Sequence, residues 1–359
     1  MKGAGADAER ILEVLPRACH VAVDGDRDGV NANTHGASIR GTFRAMRAIV
    51  GEKYGGPERL ALREIDPPEL EPDSVLVRVH AASVNPYDWH LMRGTPYFVR
   101  LASGLRRPKR TVPGGDVAGI VEEVGENMTA FRPGDEVFGM CAGSFAEYVR
   151  GREKNLVPKP EGLTFQQAAA LPGAGITALQ ALRDSGGIEA GQRVLINGAS
   201  GGIGTFAVQI AKSFDARVTG VCSTRNVELV RSLGADEVID YTNADFTEQQ
   251  YDLIVDLVGN RSMRELRRAT APGGSAVLVG GTNGNWVGPL VRPMAAVVRR
   301  GFRPFITRPR TEDLLALKDL VDAGRLVPVI DRSYPLADAS EAVAYSEAGH
   351  ARGKIVIAV

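Results

Sequence analysis

The sequence predicts an α/β protein made of a mainly β unit over residues 46–172, a doubly wound parallel sheet over 173–304 and a return to the first unit over 305–359. Three observations carry this. Short alternating strands broken by Gly and Pro fill the first part, as in Glu64-Ile65-Asp66-Pro67-Pro68 and Arg132-Pro133-Gly134-Asp135. After Leu171-Pro172-Gly173 strands alternate with helices, the pattern of a parallel sheet covered on both faces. A glycine cluster then sits between a buried strand and an apolar helix.

The chain has 359 residues, 44% hydrophobic and 24% charged, enough for two ordinary domains and incompatible with a disordered tail or a disulfide miniprotein. Lys plus Arg (43) equals Asp plus Glu (43), so no global field draws the chain to nucleic acid or to an anionic membrane, and neither partner is expected. A nucleic-acid binder would need a local patch. Cys19, Cys141 and Cys222 are far apart, odd in number and without a CxxC, which excludes a disulfide framework or a cysteine-built zinc site. With no signal-like apolar run and no stretch long enough to span a bilayer, the expected compartment is the cytoplasm.

Residues 1–45 read as a polar, flexible appendage. Its Asp24-x-Asp26-x-Asp28-Gly29 imitates the start of a calcium loop, but the twelfth position, where a bidentate Glu is needed, is His35. Strands follow at 47–50, 60–65 and 74–83, where Val75, Val77 and Val79 alternate with Leu76, Arg78 and His80. The second unit is read as helix 177–183, strand 193–197, helix 205–213, strand 217–221, helix 227–233, strands 237–240 and 252–256, helix 263–269 and strand 275–279. Helix 312–322, strand 327–330, helix 339–346 and strand 354–359 complete the chain.

The cluster Asn197-Gly198-Ala199-Ser200-Gly201-Gly202-Ile203-Gly204 follows strand 193–197 and opens helix 205–213. Glycine there allows a tight turn, close approach of a pyrophosphate and close helix packing, while the helix N-terminus presents free N–H groups to the anion. Gly198, Ser200, Gly201, Gly202, Ile203 and Gly204 are therefore candidate dinucleotide contacts. At the end of the next strand stands Cys222-Ser223-Thr224-Arg225 instead of an acidic residue. Hydroxyls and a guanidinium at Ser223 and Arg225 favour the 2′-phosphate of NADPH over NADH.

The stretches SVNPYDWHLMRG (83–94), VPGGDVAGIVEEVG (112–125), FRPGDEVFG (131–139), GSFAEYV (143–149), AAALPGAGITALQAL (168–182), INGASGGIGTFAVQIAK (196–212), LGADEVIDY (233–241) and ARGKIVIAV (351–359) resemble the medium-chain dehydrogenase/reductase superfamily, in its zinc-free quinone oxidoreductase branch. The resemblance implies a GroES-like catalytic domain with an inserted Rossmann domain, and commonly a homodimer. Positions matching the zinc ligands of the superfamily's alcohol dehydrogenases are Asn85, Gly115 and Gly173, which form no ligand set, so no metal is expected. Without a Lewis acid the implied chemistry is hydride transfer from NADPH to a small electrophile activated by conjugation, a quinone, enone or enal.

The loop Asn85-Pro86-Tyr87-Asp88-Trp89-His90 would then line the pocket, with the Asn85 amide bonding the nicotinamide ribose or the substrate oxygen. Many quinone reductases hold a tyrosine where His90 stands here. His90 is read either as a proton source or as a packed surface histidine, and Tyr87 as the substitute donor. Asp116 would organise this loop by hydrogen bonds. By the same resemblance Thr177, Tyr241, Val258, Gly280, Phe305 and Thr307 contact the cofactor, and Lys354 is read either as a basic residue brought toward the cofactor or as a solvated surface lysine. The pocket wall would come from loops near 98–109 and 286–303, whose arginines either favour an acidic acceptor or face water. The His90 departure keeps open an alternative, an NADPH-binding redox sensor with little turnover; a zinc alcohol dehydrogenase is the remaining one.

Overall fold

The computed structural model describes residues 45–280 and 301–359. The appendage with its calcium-like stretch, Cys19 and most of the 286–303 loop lie outside the described residues.

Met46–Val50 (β1) and Ala61–Ile65 (β2) form an antiparallel pair. Val75–Val84 (β3), Asp116–Val124 (β4), Glu136–Met140 (β5), Tyr148–Gly151 (β6) and Leu156–Pro158 (β7) follow, β6 pairing with one end of β3. A parallel sheet is then built from Arg193–Asn197 (β8), Arg217–Cys222 (β9), Glu237–Asp240 (β10), Tyr251–Asp256 (β11), Thr270–Leu278 (β12) and Phe302–Pro304 (β13), in the order β10-β9-β8-β11-β12-β13. Its direction of winding reverses between β8 and β11, which places a crevice at the carboxyl ends of Asn197 and Asp256.

The last strands, Ile330–Pro335 (β14) and Lys354–Ala358 (β15), join the first sheet, in the order β14-β15-β3-β4-β5-β7, with Ile355 opposite Val84. One apolar core runs through both units, from Ala81, Ala118 and Phe138 through helices Phe165–Ala170 and Pro172–Gln180 to Ile196 and Val255. Among the described residues no helix is long and apolar enough to cross a membrane.

Among the segments that differ from the sequence reading, three are decided by identifiable contacts. Residues 86–93, read as loop, form a helix: Pro86 suits its first turn, and the Asp88 carboxyl group caps it by accepting from the Asn85 N–H at 2.7 Å. Thr164 and Gln167 form a capping box that starts helix Phe165–Ala170 inside the mainly β stretch. The strand expected at 327–330 begins only at Ile330, because the Gln209 amide grips both N and O of Val327 and Val329 O accepts from Lys354 N.

Candidate active site

Two clusters face each other where the first sheet meets the glycine turn. The first is built on Asp116, fully buried at the start of β4. Its carboxylate accepts from Ser83 Oγ at 2.8 Å, from Asn85 Nδ2 at 2.8 Å and from Gly173 N at 3.0 Å, the last being a free N–H in the first turn of helix Pro172–Gln180. Lys354, 3% exposed at the start of β15, donates to Asn85 Oδ1 at 2.6 Å and to Val84 O at 3.3 Å, and its Nζ lies 3.6 Å from Asp116. A donor-only ammonium on one side and an acceptor-only carboxylate on the other fix the Asn85 amide, leaving its second N–H for a ligand. Burial pushes the Lys354 pKa down against the pull of Asp116 and Asp88.

Asp88 is buried beside this cluster. Burial, with the Asp116 charge in the same direction, raises its pKa to about 8 against the opposing Asn85 N–H and Lys354, and its Oδ1 has no partner among the described residues. The Tyr87 hydroxyl fills the space over Gly115, where a Cβ would overlap it. Burial first, then the Asp88 and Asp116 charges, raise the Tyr87 pKa well above its ordinary value, so the phenol keeps its proton. His90 Nδ1 bonds Thr95 O at 3.0 Å and its ring leans on Trp89 at 3.7 Å between centroids. Because a carbonyl can only accept, Nδ1 carries the proton. Burial lowers the His90 pKa, so near neutrality the imidazole is uncharged.

The second cluster is the glycine turn after β8. Gly198 adopts φ +91°, and a Cβ there would meet the Val258 side chain. A Cβ on Gly204 would overlap the Gly198 carbonyl, so the helix after the turn can seat only with glycine there. Gly201 has open space around its missing Cβ save for Gly198 O at 3.4 Å, and at Gly202 the nearest atoms are Gly353 O and Lys354 Cδ, both at 3.3 Å. This cradle fits a pyrophosphate at a helix N-terminus. Lys354 thus lays its stem along the turn and its ammonium into the first cluster.

At the rim, Asn226 Nδ2 donates to Ser200 Oγ at 3.0 Å and to Ser223 Oγ at 3.2 Å, while its buried Oδ1 has no partner among the described residues. Arg225 is exposed and reaches His350 O at 3.5 Å; Arg352 Nη2 donates to Arg225 O at 3.2 Å. The Asp240 carboxylate, at the adjoining strand end, is tied into its own turn by Thr224, Thr242 and Asn243. Tyr241 is exposed, its N–H on Cys222 O at 3.0 Å. On the other side Thr177 Oγ1 and Thr307 Oγ1 lie 2.9 Å apart, and Gln180 clamps the backbone of Arg308 through both amide atoms. Phe305 packs on the core, and Gly280, at the end of β12, gives its N–H to Asp256 O. His90 makes no contact with these clusters among the described hydrogen bonds. The sequence assigns no role to Asn226, Gln180 or Arg352: Gln180 and Arg352 stand inside the stretches 168–182 and 351–359, but their partners Arg308 and Arg225 are more than a hundred residues away, and nothing local singles out Asn226.

A catalytic zinc does not fit. Gly115 and Gly173 offer no donor, Asn85 is committed to Lys354 and Asp116, and the Tyr87 hydroxyl fills the space a side chain at 115 would need.

Residues 71–161 match the family model described as alcohol dehydrogenase GroES-like domain, and residues 233–357 the one described as zinc-binding dehydrogenase. A chloroplast envelope quinone oxidoreductase homolog of Arabidopsis thaliana is 33% identical, covering 88% of this chain and 98% of that protein. The chloroplastic NADPH-dependent alkenal/one oxidoreductase of the same plant is 34% identical, covering 88% and 80%. The structure of the quinone oxidoreductase from Coxiella burnetii superposes with a TM-score of 0.78 at 32% identity, covering 88% of this chain and all of that one. The fold, the glycine turn and these likenesses together show that the chain belongs to the medium-chain dehydrogenase/reductase superfamily, in its quinone oxidoreductase-like branch.

Proposed function

We propose that this chain is an oxidoreductase that uses NADPH to reduce quinones or α,β-unsaturated carbonyls without a metal. The observation that carries this is the juxtaposition of a pyrophosphate cradle with a cluster in which a lysine ammonium, an amide and a phenol take the space of a zinc ligand set. When bound, NADPH supplies a hydride to the conjugated carbon of the acceptor. The chain's part is to hold the acceptor oxygen by hydrogen bonds while solvent returns the proton. The spare Asn85 N–H and the Tyr87 hydroxyl are the donors for that oxygen, and a phenol held protonated suits an enolate or hydroquinone anion as it forms. His90, its Nδ1–H spent on Thr95 and its ring neutral, serves the helix and the following turn as packing.

Preference for NADPH over NADH is supported by the Ser223 and Arg225 side chains, with Arg352 beside them. The names of the quinone and alkenal/one oxidoreductases support the acceptor class. The test is NADPH oxidation, with NADH in parallel, against a panel of quinones, enals and enones in the presence of a chelator. Turnover favouring NADPH is expected. Tight NADPH binding with no turnover on any acceptor would replace this reading with a nucleotide sensor.

A further inference from the structure

Between Trp89 and Gly115 the chain carries six basic residues and no acidic one, in a protein whose charges balance overall. Arg93 pairs with Glu347, and Arg100 lies over the Tyr54 ring while donating to Gly94 O. Arg106, Arg107, Lys109 and Arg110 are exposed. Leu101, in the one-turn helix Arg100–Ser103 that opens this loop, and Leu105 just after it are 75% and 67% exposed, the two most exposed large apolar side chains among the described residues. Their exposure is not slack in the backbone. The Tyr54 hydroxyl donates to Gly104 O at 2.6 Å and lies 2.9 Å from Ser103 Oγ, and Lys109 N closes on Ser103 O at 2.7 Å.

An anchored loop that holds leucines in water between arginines has the chemistry of a bilayer interface: apolar side chains enter the acyl boundary while cations meet anionic headgroups. A nucleic acid would use the cations and leave the leucines idle. We infer that loop 100–110 docks the protein on an anionic membrane surface. The loop leaves helix Pro86–Arg93, which carries Tyr87, and re-enters the site at Gly115, so docking sets the pocket mouth at the membrane. The expectation of no membrane partner rested on net charge, which a local patch escapes. Resting on the reductase reading above, the inference also names the substrate class: hydrophobic quinones or lipid-derived enals and enones that partition into bilayers.

The test is flotation of the purified full chain with vesicles of phosphatidylcholine and phosphatidylglycerol, against phosphatidylcholine alone. Binding is expected only to the anionic vesicles, weakening as salt rises, and each basic residue neutralised should lower it by about fivefold. R106E with R107E should lower partition by more than about tenfold. L101S with L105S should lower it severalfold at unchanged charge, with melting curves confirming that both variants fold. No flotation overturns the inference. So does equal retention of the leucine variant together with equal binding to duplex DNA, which would make the patch a general polyanion site, or a leucine variant that loses an oligomer instead of vesicle binding. The readout needs no turnover: flotation without catalysis would fault the reductase reading and leave docking standing, while catalysis without flotation would fault docking alone.

Discussion

Asp88 is buried with one carboxyl oxygen on the Asn85 N–H and the other without a partner among the described residues, and its pKa is raised to about 8. An unfolded aspartate ionises near pH 4. Between about pH 4 and 8 the native state therefore holds a proton that the unfolded state has released, and stability falls as pH rises through that window. Asp88→Asn keeps an acceptor for the Asn85 N–H and removes the titration, so its advantage over the parent chain should grow from pH 5 to pH 8, reaching at least about 1 kcal/mol. Chemical denaturation at the two pH values checks this. The glycine turn gives a second contrast between neighbours. Gly201→Val enters open space and should leave a folded protein that no longer binds NADPH, whereas Gly204→Ala meets the Gly198 carbonyl and should cost about 1–3 kcal/mol of stability. Melting temperature and NADPH titration separate the two.

At the scale of elements, the turn after β9 gathers Ser223, Arg225 and Asn226 and meets Arg352 from the C-terminal return. Arg225→Glu should weaken NADPH by about tenfold to a hundredfold while moving NADH far less, and Arg352→Glu should act in the same sense. Equal losses for both nucleotides, measured by titration, would remove the 2′-phosphate assignment. The strand–turn–helix around Gly198–Gly204 was legible in sequence because a local motif specifies it. The capping box Thr164–Gln167 is an equally local signal, but it stands in a strand-rich context and the helix it starts was missed. The slip of β14 from 327–330 to Ile330–Pro335 was not legible, because Gln209, more than a hundred residues away, decides which backbone groups of Val327 are free to pair.

Across the whole molecule, Lys354 ties the units together. Its stem packs along Gly202 of the nucleotide turn and its ammonium enters the Asn85–Asp116 cluster of the catalytic unit. Sequence alone left it undecided between a surface lysine and a basic residue aimed at the cofactor; pairing of β15 with β3, a contact between opposite ends of the chain, buries it. Lys354→Met keeps the stem but leaves Asp116 without its cation, which should cost about 3–5 kcal/mol of stability. It also frees Asn85 Oδ1, so the amide no longer has one orientation. If Lys354 positions Asn85 toward the acceptor, kcat should fall by about tenfold with the KM for NADPH changed by less than about twofold. Steady-state kinetics below the variant's melting temperature decide this. A raised KM for NADPH with kcat unchanged would mean that the lysine serves the nucleotide turn and that Asn85 is held well enough by Asp116 alone.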